Sequence, residues 1–183
     1  DREIDRVNNP YPRGDLRYAP TIDEDLADVA AITPAAMQAF HDRFYGASHA
    51  EIAVVGDFDP ATVKATLERL FGDWRAQAPF VRVPNPMIPN KGVTLTFDTP
   101  DKANASMRGA LAVPMNDRSP DFAALVVANR ALGGATDSRL FERVRVKDGL
   151  AYDVGTGVQP SSIDENSTIV SRAIFAPQNR AHV

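Results

Sequence analysis

The chain has 183 residues, a net charge of −4 at pH 7 and 44% hydrophobic residues. This mildly acidic balance argues against a general nucleic-acid binder or a polybasic membrane anchor. A mean hydropathy of −0.25 without a long apolar run argues against a transmembrane span. Cysteine is absent, which excludes disulfides, iron–sulfur clusters, cysteine-ligated zinc and a cysteine nucleophile.

Prolines and hydroxyl residues mark turns and helix starts in the N-terminal part of the chain. Three X-Pro pairs within residues 1–20 predict an extended, turn-rich segment rather than a helix. Acidic residues in a first turn predict a short helix over residues 23–31. The pair Thr33-Pro34 joins a hydroxyl N-cap to a proline at the first helical position, and it predicts a helix that continues to about residue 45.

The middle of the chain alternates between apolar runs and capped segments. The run over residues 51–55 predicts a short strand. Asp59 followed by proline predicts a capped helix over 60–71. Alternating apolar residues then predict strands over 93–97 and 106–113.

The last third predicts two helices, over residues 120–132 and 136–147, followed by two strands, over 150–158 and 169–175. This mixed order predicts an α+β, two-layer domain in which helices pack on one face of a mixed, mostly antiparallel sheet.

Two segments are expected in the domain organisation. Residues 1–32 are predicted to be an extended and short helical lead-in, and residues 33–183 to form the domain proper. The chain begins at an aspartate without a charged-then-apolar leader, and the last predicted strand lies close to its end. We therefore expect a piece of a longer protein, truncated at the C-terminus of the domain.

The common catalytic motifs are missing from the sequence. A histidine zinc site needs three or four converging ligands, and the chain has only His41, His49 and His182, without a His-x-x-Glu-His pattern. The Gly-Lys-Ser/Thr of a phosphate loop and the Gly-x-Ser-x-Gly of a serine hydrolase are also missing. The sequence predicts neither a metal site nor a complete set of catalytic residues in this chain.

One group of basic residues suggests a binding role. Arg139, Arg143, Arg145 and Lys147 lie in one predicted helix, and a rotation of about 100° per residue places Arg145 at the edge of the apolar stripe. Tyr152 follows across a tight turn. An arginine and a tyrosine that converge from a helix end and a strand can bind one carbonyl or carboxylate. The alternative is a solvated helix face beside a structural tyrosine.

Several blocks in one order resemble the pitrilysin/insulinase family of zinc metallopeptidases, and specifically its C-terminal type of domain, which lacks the zinc motif. The resemblance covers roughly residues 33–176. Its blocks are residues 40–45, 52–57, Asp59-Pro60, Phe71-Gly72-Asp73-Trp74, Leu132-Gly133-Gly134, residues 138–145 and Gly149-Leu150-Ala151-Tyr152.

The resemblance implies a two-layer α+β fold, as in mitochondrial processing peptidase, and a domain that helps to enclose a peptide substrate. Zinc would be bound by another domain, in the same chain or in a partner subunit, so this piece alone would be inactive. Arg145 and Tyr152 have the spacing of the family's substrate-binding pair. They would donate hydrogen bonds to the substrate backbone and to the oxyanion of the tetrahedral intermediate.

The opening residues resemble the start of the C-terminal half of long bacterial family members, which implies a periplasmic or secreted location. Two alternative functions stay open. One is a catalytically inert scaffold derived from the same fold. The other is a peptide-binding module that adds a strand to the edge of its sheet.

Overall fold

The computed structural model describes residues 1–183, which divide into two compact units. The first unit consists of Asp1–Pro20 and Pro84–Val183, and the second of Thr21–Val83. No helix is long and apolar enough to cross a membrane. In chain order, the elements are α1 (Arg2–Asn8), α2 (Ile22–Ala30), α3 (Pro34–Phe44), α4 (Pro60–Phe71), β1 (Ala105–Val113), α5 (Phe122–Leu132), a π-helix (Phe141–Lys147), β2 (Ala151–Gln159), β3 (Ser167–Phe175) and a 3₁₀ turn (Pro177–Asn179).

The first unit contains the sheet. Its strand order is β1-β3-β2, and both pairings are antiparallel. In the pairing of β1 with β3, Ala105 lies opposite Phe175 and Val113 lies opposite Ser167. A bulge between Ala151 and Asp153 shifts the register at the start of β2. The combination of helices with an antiparallel sheet confirms the predicted α+β class.

A small core joins the sheet to the π-helix. Its buried residues are Val144 from the π-helix, Ala151 and Val154 from β2, and Ala173 and Phe175 from β3. Successive side chains of a strand point to opposite faces. The face that carries Val154 and Ala173 therefore packs on the π-helix, and the face that carries the intervening residues is directed away from it.

The second unit holds three capped helices without a buried residue. Thr21 and Glu24 form a reciprocal capping box at the start of α2. The Thr33 hydroxyl accepts a hydrogen bond from the amide of Ala36, at 3.2 Å, at the start of α3. The Asp59 carboxylate caps α4, and hydrogen bonds donated chiefly by Thr62 hold the pKa of this carboxyl below its usual value. The predicted starts of α3 and α4 are thus confirmed.

Four sequence predictions of local structure are wrong. Residues 51–55 and 93–97 are not strands, because no neighbouring strand pairs with them and most of their apolar side chains are exposed. Residues 1–20 are not wholly extended, because α1 ends before the first X-Pro pair and that pair restricts only the residues beside it. The helix predicted to follow a cap at Thr136 or Asp137 begins at residue 139, but it is a π-helix over Phe141–Lys147 where an α-helix is expected.

Candidate functional site

The site predicted from the sequence lies where the π-helix meets β2. The π-helix ends with a hydrogen bond from the amide of Asp148 to the carbonyl of Arg143, at 3.0 Å. Gly149 follows with φ of +62°, a left-handed conformation that glycine adopts without the steric cost of a Cβ atom. The amide of Leu150 then bonds the carbonyl of Val144 at 2.9 Å. This turn directs the chain into β2, so that the end of the helix and the start of the strand are adjacent.

Arg145 lies against the start of β2. Its Nη1 atom donates a hydrogen bond to the backbone carbonyl of Tyr152. Its Cζ atom lies 5.0 Å from the centroid of the Tyr152 ring and 5.7 Å from that of Phe141. A guanidinium within about 6 Å of an aromatic ring is attracted to the ring face. The two aromatic rings and the carbonyl hold Arg145 in one place while its side chain stays half-buried.

Tyr152 presents its side chain to solvent. The residue is 73% exposed, and its phenol oxygen has no hydrogen-bond partner within the chain. The structure therefore brings the two predicted residues together, with one donor group free. A guanidinium and a phenol at this spacing can both donate to an oxygen of a bound peptide.

Two further contacts hold the turn between the π-helix and β2. The Nε atom of Arg143 lies 2.7 Å from a carboxylate oxygen of Asp148. The side-chain amide of Asn179 donates a hydrogen bond of 2.8 Å to the carbonyl of Leu150. Sequence reasoning missed Asn179, since it lies far along the chain from Leu150 and no local motif marks the contact. Arg139, the remaining arginine of this group, is exposed.

The histidines lie in ordinary surroundings. The ring of His41 stacks on that of Tyr45 at 5.1 Å, and its Nδ1 atom is 3.3 Å from a carboxylate oxygen of Asp42. The ring of His49 lies 5.2 Å from that of Phe80. Histidine, aspartate and glutamate side chains nowhere form a group of three that could hold a metal ion. The residues of this chain do not fit a zinc site, which needs three or four converging ligands.

Taken together, the geometry defines an α+β domain that offers polar donors at a strand start and has no metal cluster of its own. The family described as the peptidase M16 inactive domain matches residues 31–181, and the chain belongs to this family. The resemblance seen in the sequence, to the domain of zinc metallopeptidases that lacks the zinc motif, is thereby confirmed.

Proteins similar to this chain are named as proteases. An uncharacterized zinc protease of Mycobacterium tuberculosis is 33% identical over 132 residues, which cover 69% of this chain and 29% of that protein. An uncharacterized zinc protease of Bacillus subtilis is 30% identical over 117 residues, covering 64% of this chain and 27% of that protein. The chain thus spans less than a third of the length of these relatives.

Solved structures share the fold. The crystal structure of a peptidase M16 inactive domain from Pseudomonas fluorescens superimposes with a TM-score of 0.77 and 25% identity, over 96% of this chain and 40% of that one. A protease from Helicobacter pylori superimposes with a TM-score of 0.66 and 19% identity, over 83% of this chain and 36% of that one. The second likeness concerns the fold alone.

Proposed function

We propose that this chain is the substrate-binding, non-zinc domain of a zinc metalloendopeptidase. In this role it helps to enclose a peptide and supplies Arg145 and Tyr152 as donors to the substrate backbone and to the oxyanion of the tetrahedral intermediate. The main support for the proposal is that a guanidinium held in place by its contacts lies beside a phenol whose hydroxyl has no hydrogen-bond partner in the chain. Arg145 is fixed by its contacts with Tyr152 and Phe141, whereas the Tyr152 hydroxyl has no partner in the chain.

Hydrogen-bond donors with a fixed orientation suit the binding of an oxyanion. A donor that is already oriented loses little entropy and needs little reorganisation when negative charge develops on the substrate oxygen. Arg145 fits this description because its hydrogen bond to the Tyr152 carbonyl and its contacts with two aromatic rings restrain its side chain. Since no group of side chains in this chain could hold zinc, we assign the metal chemistry to another domain, in the same polypeptide or in a partner subunit, and expect this chain alone to cleave nothing.

The proposed location is the periplasm or the exterior of the cell. It rests on the likeness of the opening residues to long exported members of the family. Fractionation of the source cells, with immunodetection of the protein, tests this location.

The test of the function is the Tyr152→Phe substitution in the assembled protease, with the zinc content measured on the same sample. Loss of one oxyanion donor typically lowers kcat by about 10²–10³. We expect a fall of that size with the zinc content unchanged. Arg145→Lys keeps the charge but loses the planar fork, so it is expected to lower the rate as well. Tyr45→Phe is the matched control, because Tyr45 is also exposed but lies in the other unit.

Unchanged kinetics for both Tyr152→Phe and Arg145→Lys would refute the proposed role and favour the inert scaffold. A loss of zinc from either variant would show that the fall in rate came from damage to the assembly instead of from a missing donor.

A further inference from the structure

The face of the sheet directed away from the π-helix carries two arginines side by side. Arg108 of β1 lies directly opposite Arg172 of β3, and Arg172 lies opposite Gly155 of β2. Like charges that face each other across a strand pair destabilise the sheet. An anion bound between the two arginines would offset this unfavourable electrostatic free energy.

The chain offsets the two charges only in part. The Nε atom of Arg172 bonds a carboxylate oxygen of Asp153 at 2.9 Å. The Nε atom of Arg108 lies 3.8 Å from a carboxylate oxygen of Asp1, which is beyond hydrogen-bond distance. No hydrogen bond joins the terminal nitrogens of either guanidinium to the rest of the chain. Both side chains are about half exposed, at 50% for Arg108 and 49% for Arg172.

Gly155 lies beside one of these guanidiniums. A Cβ atom at this position would lie 2.9 Å from the Gly133 carbonyl oxygen and, at ordinary contact distance, 3.7 Å from Nη2 and 3.8 Å from Cζ of Arg172. The guanidinium therefore lies beside the backbone of β2.

A cleft of about 370 Å³ lies above the two arginines, between α1 and the sheet. This volume falls in the lower part of the range for small-ligand sites. Arg108 and Arg172 give the lining a cationic part, and amide and hydroxyl side chains add hydrogen-bonding groups. The polar uncharged residues are Asn8, Asn9, Asn85, Gln159, Asn166, Thr168 and Ser171.

We propose that this cleft, which we call the arginine cleft, binds a carboxylate of the peptide substrate. The guanidiniums of Arg108 and Arg172 receive the carboxylate, and the amide side chains hydrogen-bond the adjacent peptide backbone. Arginine suits this role because its planar donors match the two oxygens of a carboxylate. The proposal rests on the proposed function, since it assigns that domain a preference for acidic substrates.

Two aspartates, Asp1 before α1 and Asp5 within it, place negative charge in the same cleft as the arginines. Asp1 and Asp5 both line the arginine cleft. A substrate carboxylate must compete with Asp1 for Arg108, and the distance of 3.8 Å between these two side chains makes their contact weak. Replacing Asp5 by asparagine removes one competing charge, so this variant should bind the acidic peptide more tightly.

The experiment measures binding to the assembled protease after chelation of its zinc, so that cleavage does not consume the probe. A fluorescent peptide with one glutamate is compared with the same peptide carrying glutamine, each with a free or an amidated C-terminus. Binding is followed by fluorescence anisotropy. We expect the wild type to prefer glutamate, with an affinity about five- to tenfold higher that falls as the salt concentration rises. A preference that follows the free C-terminus instead assigns the cleft to the terminal carboxylate.

Arg108→Gln is expected to abolish this preference, and Asp5→Asn to raise it. Arg118→Gln is the control, because Arg118 is exposed, lies outside the cleft and changes the net charge by the same amount. An equal preference in Arg108→Gln and wild type refutes the arginine cleft. If Tyr152→Phe still lowers kcat in that case, the proposed function stands and only the cleft fails. If the preference depends on Arg108 but Tyr152→Phe changes nothing, the cleft stands and the proposed function fails.

Discussion

Gly133, at the end of α5, allows a close approach between this helix end and the sheet. Its carbonyl accepts a hydrogen bond of 2.9 Å from the amide of Thr156 in β2. A Cβ atom at Gly133 would lie 2.7 Å from Thr156 Oγ1, 2.8 Å from the Thr156 amide nitrogen and 3.0 Å from Leu140 Cδ1. The φ of Gly133 is −156°, which is not left-handed, so the prediction rests on the contacts that the added Cβ atom would make.

We expect Gly133→Ala to destabilise the first unit by about 2–4 kcal/mol. Overpacking typically costs about 1–3 kcal/mol, and the weakened hydrogen bond adds about 1 kcal/mol. A loss of that size lowers the melting temperature by roughly 4–16 °C in a protein of this length. Because one of the clashing atoms is a backbone nitrogen, a change of side-chain rotamer cannot relieve the contact.

Hydrogen exchange of the amides in β2 and β3, together with thermal melting by circular dichroism, measures the effect. Fluorescence of the single tryptophan is the wrong probe, since Trp74 lies in the second unit. Gly92→Ala is the control, because a Cβ atom there meets nothing within 4 Å. If the Gly133→Ala and Gly92→Ala variants have the same melting temperature and the same amide exchange rates, the assigned close approach is wrong.

Three further predictions concern the core, the acid response and metal binding. Phe175→Ala should cost about 3–5 kcal/mol in urea unfolding, whereas Leu111→Ala, at a residue 62% exposed, should cost far less; equal losses would contradict the assigned core. Hydrogen bonds from Arg17 lower the pKa of Asp15 from 3.8 to about 2, so the stability that this carboxylate contributes is present above pH 3.8 and is lost as the pH falls toward 2. The difference in unfolding free energy between wild type and Asp15→Asn should shrink over that interval, and a constant difference would refute the assignment. Equilibrium dialysis against zinc with elemental analysis should find no stoichiometric binding to the isolated chain, and one bound ion per chain would overturn the absence of a site.

Local signals in the sequence predicted most of the elements. The caps Thr33 and Asp59 fix the starts of α3 and α4, because a side-chain oxygen satisfies amides that are free at every helix start. Alternation likewise predicted β1, β2 and β3 to within two residues at each end. These features depend on neighbours within a few positions, which a sequence displays directly.

Features that depend on distant partners were harder to predict. Ile52 and Val54 alternate as a strand would, but a strand forms only beside a second strand. The π-helix changes the rotation per residue that the helical-wheel argument assumed, although Arg145 still lies beside β2. The arginine pair was invisible in the sequence, because Arg108 and Arg172 become neighbours only through the register of β1 and β3.

The strand order has a consequence for the synthesis of the protein. β2 and β3 form a local hairpin, whereas β1 must wait for β3, which is the last of these three strands to leave the ribosome. At translation rates of about 5–20 residues per second, β1 is without its partner for roughly 3 to 12 seconds. An unpaired strand is a template for association with other chains. The charge of Arg108 in the middle of β1 lowers that risk during the interval, so the same side chain that strains the finished sheet protects the unfinished one.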